Sequence, residues 1–379
     1  MNIIKTILCL ALPITTTIAS FNDNNYLYFY IGTYTDAESK GIYLYQMNIE
    51  NGELVYKGVT EGVNNPSFLA IDETNSGLYA VNELTEFNGE KTGTVTAFKI
   101  DPNTKALQFL NQKITEGGAP CHVIVDASGN YILTANYVGG NVCVIEVSDD
   151  GSLGQTTDLI QHYGSSIKIN QKSPHAHSVN LDAENKFLYV ADLGLDKIMI
   201  YNFDARKGTL SAAETPFVKV APGAGPRHFV FHPNNKFAYV INELNSTVTV
   251  FAFNSMNGQL SEIETYSTLP IEFIGESFCA DIHIHPNGKF LYGSNRGHNS
   301  IVTYEIDEFT GKLKFLETKS TEGVWPRNFT LDPTGNFLLV ANQRSNNVTV
   351  FKINPLTGLL NFTGISENIP SPVCLLFLN

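Results

Sequence analysis

No Cys-x-x-Cys pair occurs among the five cysteines of this 379-residue chain, so a zinc ribbon or a dithiol redox centre lacks its ligand spacing. No glycine-rich loop follows a strand and opens a helix, and no Gly-x-Ser-x-Gly elbow appears. Nucleotide cofactors and serine hydrolysis are thereby disfavoured. Positive charge is scarce: 24 Lys and Arg stand against 37 Asp and Glu, a formal net charge of −13. Removing residues 1–20 takes away Lys5 and no acid, which leaves −14. Such a surface argues against nucleic acid and against anionic membrane, both of which need basic patches. After residue 20 no segment of useful length keeps a helical period, and no Pro/Ser-rich linker or charge run divides the chain.

Residues 1–20 read as a signal peptide. Lys5 supplies a positive charge, residues 7–14 an apolar stretch, and Thr17-Ile-Ala19 a small-residue cleavage site. The stretch is too short to span a bilayer, and Pro13 interrupts it. Leu8 rather than a small residue precedes Cys9, which argues against a lipid anchor. Export makes the expected location periplasmic or secreted; without it the protein would be cytoplasmic. The remaining Cys121, Cys143, Cys279 and Cys374 read mainly as small buried apolar residues. A disulfide is open to an exported chain, and spacing does not decide it.

What is present is a repeat. Pro66, Pro120, Ala176, Pro226, Cys279, Pro326 and Pro372 occupy equivalent positions, at steps of 54, 56, 50, 53, 47 and 46 residues. Each anchor opens an apolar strand, followed in all but the last by a turn and a second strand: 77–82, 131–136, 187–192, 237–242, 290–295 and 337–342. Third strands follow at 94–100, 141–147, 197–203, 247–253, 300–306 and 347–353, then a more polar fourth. A period near 50 with four strands per repeat, arranged radially, predicts an all-β propeller of seven blades. The seventh anchor has one strand after it, 373–378. The missing three are supplied by 28–33, 41–48 and 53–59, so the termini are expected to share a blade and close the ring, removing free sheet edges. Residues 21–379 are expected to form one domain, a monomer or a weak homodimer.

Repetition separates scaffold from site. The Asn or Asp that closes the second strand, at 82, 136, 192, 242, 295 and 342, recurs and reads as structural, bonding the local turn backbone. The aromatic-Leu-Tyr pattern reads as packing between blades. Neighbouring positions vary instead. After the anchor stand Ser67, Cys121, His177, Arg227, Ala280, Arg327 and Val373. One residue on stand Phe68, His122, Ser178, His228, Asp281, Asn328 and Cys374. After the closing position stand Tyr34, Glu83, Tyr137, Leu193, Glu243, Arg296 and Gln343. Antiparallel pairing brings all three sets to one end of the blades, around one mouth of the channel. The charged members fall mostly in consecutive blades, which predicts a lopsided pocket. Three arginines in a water-poor cleft would repel one another unless an anion sits among them. Arginine suits carboxylate or phosphate, and a Glu and a His nearby supply a general base and acid. A small anionic substrate and hydrolytic or proton-transfer chemistry follow. The competing reading is an ion-pair network bracing the blades, Arg227 with Glu243 and Asp281 with Arg296. His175-Ala-His177 and His283-Ile-His285 put two rings on one strand face, but no third ligand at matched spacing is evident, so no metal and no cofactor are expected. His232 and His285 share a turn position, which points to a structural role.

Four segments carry a resemblance: residues 223–246 (GAGPRHFVFHPNNKFAYVINELNS), 280–296 (ADIHIHPNGKFLYGSNR), 177–190 (HSVNLDAENKFLYV) and 326–338 (PRNFTLDPTGNFL). They resemble the seven-bladed lactonase family typified by bacterial propeller-type 6-phosphogluconolactonase, and the similarity runs over 27–379. The resemblance implies metal-free hydrolysis of a sugar lactone to its open acid. By position it implies His177, Arg227, Glu243 and Arg296 as pocket residues, with His228, Asp281, His283 and Arg327 beside them. Arg296 and Arg327 are expected to hold the anionic group and Arg227 to polarise the lactone carbonyl. Either Glu243 or His177 is expected to activate water. The fungal carboxymuconate lactonising enzyme, a cycloisomerase, is similar in fold and pocket set, so cyclisation stands as an alternative. The best-known lactonases of this kind are cytosolic, so an exported chain points to an unphosphorylated or another acidic lactone. A non-enzymatic exported propeller is the third reading; with one tryptophan and no Trp-Asp dipeptide, a WD-type scaffold is the weaker form of it.

Overall fold

The computed structural model describes residues 25–378 apart from 36, 37 and 75; the segment read as a signal peptide lies outside the described residues. Seven antiparallel sheets of four strands each carry the chain. Blades 1 to 6 span 66–114, 120–161, 176–219, 226–267, 278–320 and 326–368. Blade 7 joins the C-terminal strand Pro372–Phe377 to Tyr26–Thr33, Gly41–Asn48 and Leu54–Glu61. The first strands touch one another in order around the centre, and Pro372–Phe377 meets Pro66–Ile71 to complete the circle. Among the described residues the one helical element is a 3-10 turn, Ile169–Gln171.

Burial follows strand position. The second strands of blades 1 to 6 are buried on both faces, because neighbouring blades cover both sides. The fourth strands alternate buried and wet residues and form the rim. The apolar clusters lie between blades: Tyr189, Ala191 and Ile200 of blade 3 pack with Phe229, Val240 and Phe251 of blade 4. The recurrent tyrosine ties blades together as well as filling space. Tyr189, Tyr239 and Tyr292 donate their hydroxyls to the carbonyls of Gly258, Gly311 and Gly358, at 2.6, 3.0 and 2.9 Å, each in the next blade. Gly311 is required there: its φ is +71°, and a Cβ would stand 2.5 Å from the Phe237 ring.

The closing Asn does something different from the expected turn bond. Asn136, Asn295 and Asn342 donate Nδ2 to the carbonyls of Thr115, Thr268 and Thr321. Those carbonyls belong to the segment entering the blade, so the side chain fastens the linker rather than the turn after it. Asp192 bonds both sides, accepting from His175 N and Leu195 N. His232 and His285 donate Nε2 to the carbonyls of Gly288 and Gly335 in the following blade, at 2.8 and 2.9 Å. The shared turn position is thus an inter-blade strut. Cys121, Cys143, Cys279 and Cys374 are all buried and free.

Candidate active site

One irregularity recurs beside the anchors. The ladder shifts between Pro66 and Phe68, Pro120 and His122, Ala176 and Ser178, Pro226 and His228, and Pro326 and Asn328. A bulge leaves its extra residue outside the ladder and re-aims the side chain. The residues set free are Ser67, Cys121, His177, Arg227 and Arg327. Blade 5 shifts over a longer stretch, from Cys279 to Ile282. Across each first pair, Asn82, Asn136, Asp192, Asn242 and Asn342 face the anchors, so the residue after each arrives at the same end.

These positions build one cavity of about 210 Å³, lined by Tyr34, Glu83, Cys121, Tyr137, His177, Glu243, Arg296 and Arg327. Every blade contributes a side chain to it. Glu243 ties two arginines: its Oε2 is 2.8 Å from Arg296 Nη2 and 3.1 Å from Arg227 Nε. The Arg227 contact is an ion pair off the hydrogen-bonding direction, since that Nε has no hydrogen-bond acceptor. Burial opposes the charge of Glu243, yet the flanking arginines Arg296 and Arg227 win and hold its carboxyl below the usual range. Arg227 itself is 2% exposed and lies behind the cavity wall. It donates Nη1 to the Ala280 carbonyl. Burial, with Arg296 and Arg327 nearby, pushes it down to about 10, so it stays cationic at neutral pH. Arg296 donates to the carbonyls of Cys279 and Phe278 at 2.8 and 3.2 Å. It does not pair with Asp281, as the strand spacing suggests, because Asp281, within the blade 5 irregularity, is engaged by His228, His283 and Asn328 instead.

Arg327 is held less tightly. Its Nη2 is 3.5 Å from Glu83 Oε2, and its guanidinium lies 5.3 Å from the Tyr34 ring. Tyr34 donates its hydroxyl to the same Glu83 oxygen at 2.8 Å. His177 is buried among these charges, and burial followed by Arg227 drives it well below the ordinary histidine range. A neutral ring results. Its Nδ1 is 3.7 Å from Cys121 Sγ, which leaves Nε2 for the pocket. Tyr137 stacks on His175 and meets the edge of the His177 ring at 5.4 Å. His175 is engaged in turn by the Tyr137 carbonyl, 2.8 Å from Nδ1.

His228, Asp281 and His283 form a separate cluster. His228 Nδ1 donates to Asp281 Oδ1 at 2.7 Å, and His283 Nε2 to Oδ2 at 3.0 Å. Asn328 and the Phe329 amide complete the shell of that carboxylate. Burial takes His228 down to about 4, so it donates as a neutral ring, whereas Asp281 outweighs burial and raises His283. None of the three lines the cavity. Their edge-on contact with the site is the His177 ring, 5.5 Å from that of His228. Among the described residues no group of three or more His, Cys, Asp or Glu is arranged to hold a metal. The larger hollow at the seam of blades 1 and 2 is edged by Asp72, Glu73, Asp149 and Asp150, and Asp72 is engaged by Thr74, Ser76 and Gly77 of its own turn.

The cavity therefore gathers His177, Glu243, Arg296 and Arg327 of the expected set, with Arg227 directly behind. It sets apart His228, Asp281 and His283. It adds Tyr34, Glu83, Cys121 and Tyr137, which stand at the informative repeat positions but carry no weight as an isolated sequence signal. Glu83, a charged exception among the repeat positions of the more apolar wall, brings a second carboxylate into the cavity.

Known proteins share this fold. Residues 28–377 match the model of the family described as lactonase, 7-bladed beta-propeller. The chain is 37% identical over 350 residues to a 6-phosphogluconolactonase of Bacillus subtilis, covering 92% of this chain and 98% of that protein. It is 38% identical over 310 residues to a 6-phosphogluconolactonase of Formosa agariphila, covering 80% and 86%. The solved structure of a periplasmic gluconolactonase of Pseudomonas aeruginosa superposes with a TM-score of 0.88 at 34% identity, over 93% of this chain and 99% of that one. This chain belongs to the seven-bladed β-propeller lactonase family.

Proposed function

We propose that this protein hydrolyses a sugar-acid lactone to its open acid in the cavity at the mouth of the central channel, without a metal. The observation that carries the reading is the cavity lining: the His177 ring, with Nδ1 beside Cys121 Sγ, shares one pocket with the carboxylates of Glu83 and Glu243 and the guanidinium groups of Arg296 and Arg327, and burial holds His177 in its neutral form. Neutral imidazole is the form that accepts a proton. Water attacks the lactone carbonyl carbon while His177 Nε2 takes its proton. The carbonyl oxygen gains negative charge, which Arg327 stabilises with the donors its loose pairing leaves available. The ring C–O bond then breaks, and the His177 imidazolium returns the proton to the departing alkoxide. Both guanidinium contacts of Glu243 fall on Oε2, so Oε1 remains to orient the attacking water or a substrate hydroxyl. Arg227 acts through Glu243 as a positioning residue, and Arg296 shares that task while lining the cavity.

The names of the relatives, 6-phosphogluconolactonase and periplasmic gluconolactonase, support the reaction class. The periplasmic relative and the signal-peptide reading of residues 1–20 together support action outside the cytoplasm. The test is hydrolysis of 6-phosphogluconolactone, gluconolactone and muconolactone by the purified protein. Turnover of a sugar lactone that is lost in His177→Asn supports the assignment. Turnover of muconolactone alone would move the protein to the cycloisomerase class, and inactivity on all three would refute catalysis of this kind.

A further inference from the structure

Three arginines crowded at one mouth call for an anion, and the structure supplies that anion from the protein itself. Glu243 sits between Arg227 and Arg296, and Glu83 faces Arg327. With His177 neutral, the two lining arginines, Arg227 directly behind them and the two carboxylates leave a net charge of +1 at most. Arg227 and Arg296 are further engaged by the carbonyls of Ala280, Cys279 and Phe278. A phosphate monoester carries close to two negative charges at neutral pH. Placed here it would turn the cavity negative and bring its oxygens against two carboxylates already present. The hydroxyls of a neutral sugar ring make the opposite match: each can donate to a carboxylate oxygen and accept from a guanidinium. At about 210 Å³ the cavity is also below the ~300–1,000 Å³ usual for ligand pockets, which suits a single ring without an added phosphate.

We propose that the pocket selects an uncharged polyhydroxy lactone over its phosphate ester, with Glu83 and Tyr34 as the specificity-determining residues. This rests on the lactonase reading and narrows its substrate. Glu83 supplies the repulsive charge against phosphate. Tyr34, donating to Glu83 at 2.8 Å, keeps that charge turned toward Arg327. Specificity can be built by an opposing charge as well as by attraction.

The experiment compares gluconolactone and its 6-phosphate as substrates of the purified full chain. It also compares the matching lactams, which resist hydrolysis, as ligands by calorimetry. Wild type is expected to favour the neutral lactone at least tenfold in kcat/KM, and the neutral lactam likewise in Kd. Glu83→Gln is expected to shift both ratios about tenfold or more toward the phosphate ester. Tyr34→Phe shifts them the same way by less, and Glu83→Asp restores the wild-type preference. A wild-type preference for the phosphate ester, or ratios unmoved by Glu83→Gln, would overturn the proposal. If neither lactone is hydrolysed, the lactonase reading fails, and the lactam affinities still decide the charge preference on their own.

Discussion

Oε2 of Glu243 lies 2.8 Å from Arg296 Nη2 and 3.1 Å from Arg227 Nε, so one carboxylate oxygen is shared by two guanidinium groups from adjacent blades. That relationship makes Glu243 a poor base, because both arginines favour its ionised form. It also makes Glu243 the centre on which the local charge balance turns. Glu243→Gln should leave Arg227 and Arg296 without their shared anion and lower kcat/KM by about 10²-fold or more. Steady-state kinetics on the preferred lactone check this, and a rate within a few-fold of wild type would remove Glu243 from the mechanism.

Arg227→Lys separates positioning from contact. The residue is buried behind the wall, so its loss should act by loosening Glu243. The expected signature is a lower kcat with KM changed less, and partial recovery in Lys relative to Ala because a cation remains. Equal defects in the two variants would argue that the guanidinium contacts substrate directly.

The pH profile follows from His177. Burial and Arg227 hold its pKa well below the ordinary value of about 6.5. The active form is neutral, so activity is lost only as His177 becomes protonated. The acid limb of kcat/KM should therefore lie below pH ~6.5, and a limb above that value would exclude His177 as the base.

Stability should fall with acidification for a related reason. His122, His177 and His228 are all held neutral by burial, His228 down to about 4. The unfolded chain binds protons at these sites from about pH 6.5 downward while the folded one does not. Stability then drops by up to ~1.4 kcal/mol per pH unit per histidine. Asp281 and Glu243, both lowered, add a loss in the same direction at lower pH. His283, raised by Asp281, opposes this by favouring the fold below its own raised value. Urea unfolding at pH 7.5 and 5.5 measures the slope, and His122→Phe, which keeps the stack on Phe68, should flatten it.

Deleting 372–379 tests ring closure. The strand Pro372–Phe377 is the first strand of blade 7 and pairs with Tyr26–Thr33. Leu375 and Phe377 pack with Phe29 and with Phe337 of blade 6. Its loss opens both neighbouring interfaces, and the expected result is a large fall in Tm with loss of a single cooperative transition. A wild-type melt would contradict the closed ring.

How much of this was legible in the residues can be seen at particular positions. Second strands such as Phe237–Asn242 and Phe337–Asn342 match to the residue, because a short apolar run between turn signals depends on neighbours a few positions away. The Asn that closes them was legible as scaffold, yet its partner was not, since Thr268 and Asn295 are 27 residues apart. Arg227 with Glu243 could be paired within one hairpin. Arg296 with Asp281 could be paired by the same logic, and that pairing fails, because the ladder irregularity between Cys279 and Ile282 re-aims Asp281.

The chain alone determined seven four-stranded blades, the shared closing blade and the end of the blades at which unusual side chains gather, since period-two alternation and a near-50-residue repeat are local and self-comparing. Only the tertiary structure decided which charges meet. Tyr34, Glu83 and Arg327 come from blades 7, 1 and 6 and touch because the ring closes. Electrostatic pairing depends on distances of a few ångströms that closure and bulges set, and no spacing along the chain encodes them.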